Sequence, residues 1–419
     1  MRNKKWTCIM QNVMKKPAIL LIVYISIFSL CYCFANETSD ATIRITSRLI
    51  PESSDDAMSI KVLLYETNTI TIGSTEYVNV YDNRSRAFLS TFSRLHFPIT
   101  ISLHNGLLTI NEESFETKGL FILSPSQHYS INGKHYKGAL SVIKRGEKFL
   151  IVNEVDLETY VKGVLPSEMF SKWPQEALKA QAVVSRTFAV FAALERKGFD
   201  YHVSDTQLSQ VYGGISAQVQ ATDDAVDMTR GEVLLYDENI FPSFFHSTCG
   251  GHTTNAEYVW KVEPHPSLTT VYCPFCWQSK HYTWTNTLSF DEIETRLHNK
   301  GLLKGSLSAF RKGKTDAAGR VVEFEIESDK EIVTINANEL RVFVFPDIFK
   351  STLFKMGVAN ESIIFQGFGW GHGVGMCQWG SQKMASDGYD YNVILSYYYP
   401  RSFIKKLPEG YREYYDLIM

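Results

Sequence analysis

The 419-residue sequence has no excess of positive charge, because 42 Lys and Arg are offset by 45 Asp and Glu for a formal net charge of −3. It therefore lacks the electrostatic footprint of a nucleic-acid-binding protein, although an extended neutral or lightly charged polymer remains an acceptable partner. The chain also has no internal repeat and no low-complexity linker. Its composition, 44% hydrophobic and 21% charged residues, is ordinary for a globular protein, and its length suggests two or three structural units.

The first 35 residues are not predicted to be part of the fold. Lysines at positions 4, 5, 15 and 16 precede the apolar run Ala18–Ala35, and polar residues begin at Asn36, which is the layout of an export signal. The run is slightly long for a signal peptide and slightly short for a comfortable membrane span of about 20 residues. Residues 1–35 are therefore predicted to be a signal peptide or a membrane anchor. Either would place the rest of the chain in the cell envelope outside the cytoplasmic membrane, in the periplasm or on the cell surface.

Residues 38–150 are predicted to form a β-rich N-terminal region. Apolar residues alternate in Ser59–Glu66 and Glu76–Tyr81, and the Asn-Gly pairs at 105–106 and 132–133 suit tight hairpins. This region is either a docking domain or part of one integrated unit with residues 151–405, which are predicted to be the functional core.

One long helix is predicted from about Pro174 to Lys197. Proline suits the first turn, and Gly198 stands where a C-terminal glycine is expected. Apolar residues recur along it at helical spacing and predict a buried stripe. Because strands outnumber helices elsewhere, the predicted class is α+β: β-rich, with one long central helix packed on antiparallel sheet.

Glu168 is the leading candidate for catalysis. It lies in a Pro-Ser-Glu-Met segment, predicted to be a turn just ahead of the long helix, and a carboxylate on such a turn is well placed to act as an acid or base. Glu158 and Glu176, nearby, are expected to serve helix starts or salt bridges. The alternatives for Glu168 are a solvated turn carboxylate and an acid at a helix start. Apolar residues close in sequence could raise its pKa: Val164, Leu165, Met169, Phe170 and Trp173.

Two glycine-rich segments are candidates for ligand contact. In the first, His246, Ser247 and Thr248 precede Gly250 and Gly251, and paired glycines let a backbone approach a ligand closely. In the second, Gly367–Gly380, no Gly-Lys-Ser/Thr follows, so a phosphate-binding loop is excluded. A tight strand end and a packed turn are the respective alternatives. Further candidates are His372, Gln378, Gln181 and Tyr212.

Four ordered blocks resemble the stage II sporulation protein D family, also called the LytB or amidase-enhancer family. The first block comprises Val152-Asn153, Leu157-Glu158, Tyr160-Val161, Gly163-Val164, Ser167-Glu168-Met169, Trp173-Pro174, Glu176–Ala182 and Arg186-Thr187. The others are Phe245–Gly251, Gly371–Gly380 and Ile394–Pro400. Together they are far more specific than any single short motif.

The resemblance implies lytic cleavage of peptidoglycan glycan strands between N-acetylmuramic acid and N-acetylglucosamine, on strands whose stem peptides an amidase has removed. It places the catalytic acid at Glu168. Glycosidases that use water generally need two carboxylates, whereas a lytic transglycosylase needs one and no cofactor. Two alternatives remain open: a noncatalytic glycan-binding module that stimulates a cell-wall amidase, and, less favoured, a zinc-dependent hydrolase.

The candidate metal ligands of this sequence differ from those of the family that it resembles. The resemblance implies a zinc site of one histidine and two cysteines in the loop after the long helix, but here His202 is accompanied by serines, which are poor zinc ligands. Cys273 and Cys276 form a Cys-x-x-Cys pair that predicts a relocated structural zinc site, with Cys249, His252 and His281 as further candidate ligands. The alternatives are a disulfide or free thiols. Cys377 is interpreted as a small buried side chain.

Overall fold

The computed structural model describes residues 58–206 and 209–407. The predicted signal peptide or anchor, residues 1–35, lies outside these ranges. The described residues form two compact units. We call residues 58–244 with 381–407 the first unit, and residues 245–380 the second unit.

The strands are β1 (Ser59–Thr67), β2 (Thr69–Gly73), β3 (Val78–Asp82), β4 (Phe88–Phe92), β5 (Ile99–His104), β6 (Leu107–Ile110), β7 (Glu113–Phe115), β8 (Gly119–Leu123), β9 (His128–Ile131), β10 (Lys134–Lys137), β11 (Ala139–Arg145), β12 (Lys148–Asp156), β13 (Val203–Ser204), β14 (Glu232–Tyr236), β15 (Asn239–Ile240), β16 (Phe245–His246), β17 (Thr283–Ser289), β18 (Leu307–Lys312), β19 (Glu323–Ser328), β20 (Ile332–Asn336), β21 (Phe354–Ala359), β22 (Ser362–Phe368), β23 (Met376–Cys377) and β24 (Phe403–Lys406). The helices are α1 (Leu157–Glu168), α2 (Gln175–Glu195), α3 (Gln220–Met228), α4 (Ala256–Trp260), α5 (Phe290–Asn299), α6 (Ala337–Glu339), α7 (Gln378–Ser386) and α8 (Tyr391–Tyr398).

A seven-stranded sheet is the scaffold of the first unit. Its order is β13-β1-β12-β11-β8-β3-β4, and its pairs are antiparallel apart from the short parallel pair of β1 with β13. Residue 150 lies within β12, so residues on both sides of that position contribute to one sheet. The α+β prediction is confirmed: the sheets are largely antiparallel, and the long α2 packs against β1 and β13.

The first unit also contains a three-stranded sheet of order β15-β14-β24 and a six-stranded sheet of order β10-β9-β2-β5-β6-β7. Both Asn-Gly pairs close hairpins of this sheet, as the sequence predicts. Asn105 and Asn132 adopt φ of 50° and 51°, and the glycine after each has φ of 78°. These left-handed pairs match the twist of the flanking strands, which explains the choice of Asn and Gly.

The long helix α2 forms the centre of the first unit. Pro174 stands at its N-cap, one position before the first turn, and the helix ends at Glu195, two residues earlier than predicted. By length and composition α2 is apolar enough to cross a membrane, but most of it is buried inside the protein, as expected of a core helix. The helix is buried on several sides because it contacts α1, α3, α8, β1 and β14.

Helix α1 corrects one sequence-based prediction. Glu168 is the last residue of this helix rather than part of a free turn. Asp156 caps the N-terminus, its carboxylate accepting a 3.0 Å hydrogen bond from the Thr159 N–H. The sequence does not predict this helix because it contains Gly163 and Pro166, and both residue types normally disfavour a helix interior.

The second unit is built from short antiparallel sheets around an aromatic core. One sheet has the order β17-β22-β21 and another β18-β19-β20, while β16 and β23 form a parallel pair. The predicted helix at 287–300 is α5, whose cap Ser289 accepts from the Glu292 N–H. The core contains a cluster of aromatic rings in stacked, tilted and edge-to-face contact: Phe310, Phe324, Phe345, Phe349, Phe354 and Phe365.

Candidate active site

Glu168 lies where α1 ends and the chain turns towards α2. The helix closes with the Met169 N–H donating to the Leu165 carbonyl, and the Trp173 N–H donates to the Phe170 carbonyl at 2.9 Å. The turn therefore begins from a rigid helix end and leads directly into another helix. This backbone anchors the Glu168 carboxylate. An acid or base needs such rigid support because it must be positioned accurately.

The environment of Glu168 favours a protonated carboxyl. Its Oε1 accepts a 2.8 Å hydrogen bond from the Val211 N–H. Burial raises the pKa of Glu168 from 4.5 to about 7, although the Val211 hydrogen bond acts in the opposite direction. Desolvation is the dominant effect because it destabilises the charged form. A carboxyl with a pKa near neutrality can both donate and accept a proton.

Two tyrosines hold the segment that carries Val211. Tyr212 stacks on Tyr160 with ring centroids 5.3 Å apart, and its hydroxyl donates to Oδ1 of Asn153 on β12 at 3.0 Å. The Tyr160 hydroxyl donates to Oε1 of Gln210 at 3.0 Å. Since both rings are buried, they fix this segment against α1 and β12 and so place the Val211 N–H.

Gly163 provides the space that Tyr212 occupies. A Cβ added to Gly163 would lie 2.5 Å from Cε2 of Tyr212, closer than atoms of a packed core tolerate. The Gly163 carbonyl also accepts a 3.0 Å hydrogen bond from the Gly213 N–H. The glycine in α1 is therefore a packing requirement of the site, although it lowers the intrinsic helix propensity.

A buried ion pair joins α1 to α2. Nε and Nη2 of Arg186 donate to the two carboxylate oxygens of Glu158 at 2.9 and 2.8 Å, and Nη1 donates to the Glu232 carbonyl at 3.0 Å. The Arg186 side chain is fully buried. This confirms the salt-bridge interpretation of Glu158. Glu176 likewise pairs with Lys179 at 2.7 Å, near the start of α2.

Two residues predicted as substrate contacts lie in the core of the first unit. Gln181 and Tyr212 have no exposed surface in this structure. The Gln181 side-chain amide donates to the Ser185 hydroxyl at 3.0 Å. Both residues therefore support neighbouring elements in this conformation of the chain.

The first glycine-rich segment is largely a packed strand end. His246 is buried and its Nδ1 lies 3.1 Å from the Val374 carbonyl, while burial lowers its pKa to about 3 and keeps the ring neutral. Thr248, also buried, shares a 2.8 Å hydrogen bond with the Ser279 hydroxyl. Ser247, Gly250 and Gly251 retain partial exposure.

The second glycine-rich segment packs beside the first. His372 lies with its ring 5.5 Å from that of His246 and 4.9 Å from that of Trp260, and burial lowers the pKa of His372 well below its ordinary value. Gln378, at the start of α7, is buried, whereas His372 keeps some exposed surface. Close approach of the two segments requires glycine at 371, where a Cβ would lie 2.9 Å from the His246 Cβ.

The predicted metal ligands are only partly brought together. Cys249, Cys273 and Cys276 lie in one buried cluster, and their fourth neighbour is Cys377. His281 is not in that cluster: its ring packs edge-on against Trp370 at 4.3 Å.

Residues 145–236 match a family model described as stage II sporulation protein, and residues 276–375 match one described as a domain of unknown function. Stage II sporulation protein D of Bacillus subtilis is 32% identical over 263 residues, covering 59% of this chain and 74% of that relative. The chain belongs to the stage II sporulation protein D family.

Two other relatives extend the comparison. An uncharacterized protein of Brachyspira hyodysenteriae is 36% identical over 293 residues, which cover 70% of this chain and 78% of the relative. The amidase enhancer of Bacillus subtilis is 28% identical over 350 residues, which cover 72% of this chain but 47% of the amidase enhancer. The chain thus spans about half the length of that relative.

The zinc site implied by the family resemblance does not fit the residues of this family member. His202 is buried, its Nδ1 accepts a 3.2 Å hydrogen bond from the Lys61 N–H, and burial lowers its pKa to about 3. Among the residues that the structure describes, no group of three or more candidate ligands includes His202. The loop is instead held by Asp205, which accepts a 2.7 Å hydrogen bond from the Tyr212 N–H.

Sequence reasoning missed two participants. The Val211 N–H is a backbone donor, so no residue-type pattern marks it, although the following Gly213-Gly214 pair signals a closely packed turn. The second missed residue is Cys377, which lies about 100 residues after Cys273. The one sequence signal for its place beside Cys249 is that each cysteine belongs to a glycine-rich segment.

Proposed function

We propose that this protein is an exported lytic transglycosylase that cleaves peptidoglycan glycan strands between N-acetylmuramic acid and N-acetylglucosamine. Glu168 would be the catalytic acid and base. The observation that carries the proposal is the position of Glu168 at a rigid helix end, in surroundings that raise its pKa to about 7. Membership of the stage II sporulation protein D family supports the assignment.

The proposed reaction needs one carboxyl group that changes role. Protonated Glu168 donates its proton to the glycosidic oxygen as the bond to the anomeric carbon of the muramic residue breaks. The resulting carboxylate then accepts the proton of the muramic 6-hydroxyl as that oxygen attacks the anomeric carbon. The products are a 1,6-anhydro-muramic end and a free N-acetylglucosamine hydroxyl, and the protonated carboxyl is restored.

The surroundings of Glu168 suit both halves of this reaction. Burial makes the neutral acid available near neutral pH, and the Val211 N–H stabilises the carboxylate formed in the first step. Because the attacking oxygen comes from the substrate, no second carboxylate is needed to activate water.

The substrate and partners are part of the same proposal. Strands whose stem peptides have been removed would be preferred, so the protein would work with a cell-wall amidase in the cell envelope. The name of the Bacillus subtilis amidase enhancer supports a link to an amidase. The partly exposed Ser247, Gly250, Gly251 and His372 remain our candidates for glycan contact in the second unit.

A noncatalytic enhancer is the second candidate function. The observation in its favour is the match to an amidase enhancer over 72% of this chain. Such a protein would bind glycan and stimulate an amidase without cutting the strand. Glu168 would then be an acid with a raised pKa and no chemical role, which is why the two candidates separate at this residue.

The test is to incubate the purified full-length protein with glycan strands, with and without stem peptides, and to identify products by mass spectrometry. We expect 1,6-anhydro-muramic ends from the wild type and none from Glu168→Gln. Glu176→Gln is the matched control, because Glu176 is a neighbouring acid held by Lys179, and it should retain cleavage. Absence of cleavage by wild type, with glycan binding or amidase stimulation retained, would instead establish the enhancer.

A further inference from the structure

Four cysteines from three separate segments meet in the second unit. Cys249 follows β16, Cys273 and Cys276 belong to one Cys-Pro-Phe-Cys turn, and Cys377 ends β23. Each is at most 1% exposed. Their four sulfur atoms all lie within 4.8 Å of one another. We propose that these four cysteines bind one zinc ion as thiolates in a closed structural site.

The spacing of the sulfur atoms fits a tetrahedral metal centre. Zinc–sulfur bonds of about 2.3 Å in a tetrahedron place the sulfurs about 3.8 Å apart. Cys249 Sγ and Cys276 Sγ are 3.5 Å apart, close to that edge and far from the separation of about 2.05 Å in a disulfide. Four thiolates fill the tetrahedron, so the site has no open position and is structural rather than catalytic.

Backbone donors already surround the sulfur atoms. The Cys249 N–H points at Cys377 Sγ at 3.3 Å, and the Gly250 N–H donates to the Cys276 sulfur. Such N–H groups stabilise thiolates and orient metal ligands. Gly250 adopts φ of 78°, and a Cβ there would lie 2.8 Å from the Phe368 backbone, so glycine is required for the turn to present these donors.

A buried cation lies against the cluster. Arg320 is 2% exposed, and its Nη2 donates to the carbonyls of Cys249 at 2.9 Å and His252 at 3.3 Å. Among the described residues, Nε and Nη1 of Arg320 have no hydrogen-bond partner. The guanidinium is close enough to Cys249, Cys276 and Cys377 for direct electrostatic interaction.

This charge arrangement is consistent with an anionic metal centre. Four thiolates and one Zn²⁺ carry a formal charge of −2, which stabilises a neighbouring buried guanidinium, whereas four neutral thiols do not. Asp316 also attracts Arg320 but is already engaged by the Thr254 hydroxyl at 2.6 Å and two backbone N–H groups. Arg320 thus supplies an observation independent of the cysteine geometry.

The proposed zinc would join the two glycine-rich segments to each other. Thr248 and Trp370 exchange backbone hydrogen bonds of 2.8 and 3.0 Å, and His246 pairs with Cys377 across β16 and β23. A metal ligated by Cys249 and Cys377 holds these short pairings, which are too brief to be stable alone. The Cys273–Cys276 turn then closes the site from a third segment.

The decisive experiment is zinc analysis and X-ray absorption on the intact wild-type protein, purified without chelators. We expect about one zinc per chain with four sulfur neighbours at about 2.3 Å. Because this measurement uses the wild type, it does not depend on a variant folding. Protein that contains no zinc, with these cysteines found by mass spectrometry of alkylated peptides either in disulfides or as free thiols, would overturn the proposal.

Variants then identify the ligands. Cys249→Ser and Cys377→Ser should lower the affinity for zinc, measured by competition with a chelator, by about tenfold or more, since loss of a supporting outer-shell group alone costs about that much. His281→Ala should keep its zinc, because the His281 ring packs against Trp370 outside the cysteine cluster. A nitrogen neighbour in the absorption spectrum, together with zinc loss in His281→Ala, would refute the four-thiolate assignment.

Discussion

The backbone N–H of Val211 donates a 2.8 Å hydrogen bond to the carboxylate of Glu168, 43 residues earlier in the chain. The Val211 hydrogen bond does not offset the burial of the carboxyl, so the pKa of Glu168 remains raised to about 7. The site therefore stabilises the carboxylate only partly. A group that must release a proton and take one back benefits from such a balance, because neither form is strongly favoured.

The raised pKa predicts that Glu168 destabilises the folded protein at alkaline pH. A folded-state pKa above the unfolded value means that the folded state holds its proton more tightly, so the associated stability is complete below about pH 4.5 and is lost as pH rises through about 7. The shift corresponds to about 3 kcal/mol. At pH 8, the free energy of unfolding of Glu168→Gln should therefore exceed that of wild type by about 1–3 kcal/mol, so the variant should unfold at a higher denaturant concentration.

At pH 4 the same pair of proteins should have nearly equal stability, since the wild-type carboxyl is then neutral like the amide. Denaturant unfolding at both pH values measures the difference. Glu176→Gln, which alters an acid paired with Lys179, should not show this pH-dependent gain. An equal effect of Glu168→Gln at the two pH values would contradict the raised pKa.

Gly163→Ala should destabilise the protein although alanine is the better helix former. A helix-interior Gly→Ala change is normally favourable by up to about 1 kcal/mol. Here the new Cβ meets the Tyr212 ring at 2.5 Å, and overpacking of this kind costs about 1–3 kcal/mol. Gly357→Ala is the control, because its Cβ would meet nothing within 4 Å. Equal unfolding midpoints for the two variants would show that Tyr212 moves aside at no cost.

The buried pair of Arg186 and Glu158 should be worth far more than an exposed pair. Arg186→Met leaves the Glu158 carboxylate without its bidentate partner, and breaking a buried pair costs about 3–5 kcal/mol. Lys162→Met removes the more exposed pair with Asp227 and should cost about 0–1 kcal/mol. Chemical denaturation measures the loss in free energy of unfolding for each variant. Similar losses in the two variants would show that the Arg186–Glu158 pair stabilises the fold no more than an exposed pair does.

The parts of the fold that the sequence predicted correctly have local causes. Alternating apolar residues and the Asn-Gly pairs specify hairpins through backbone geometry alone, and the apolar stripe of α2 specifies a core helix. Helix α1 could not be found in this way, because Gly163 is there to admit Tyr212, a residue that tertiary structure brings from 49 positions later.

The candidate site shows the same division. Glu168 could be proposed as a candidate from sequence because a family motif and its apolar neighbours both point to it. The Val211 N–H and the place of Cys377 beside Cys249 depend on long-range packing, which residue types do not record. Burial of Gln181 and His246 could not be predicted either, since a polar side chain in a motif is equally compatible with ligand contact and with a hydrogen bond in the core.

The pH dependence of glycan cleavage should reflect one carboxyl group. Only protonated Glu168 can begin the proposed reaction, so kcat/KM should be level at low pH and fall about tenfold per pH unit above about pH 7. A hydrolase with a separate carboxylate base would lose activity on the acid side as well, giving a bell-shaped profile. Release of anhydro ends, measured between pH 4 and pH 9 over a range in which circular dichroism shows the protein folded, distinguishes the two. An acid limb in that profile would require a second titrating group and would contradict a mechanism based on Glu168 alone.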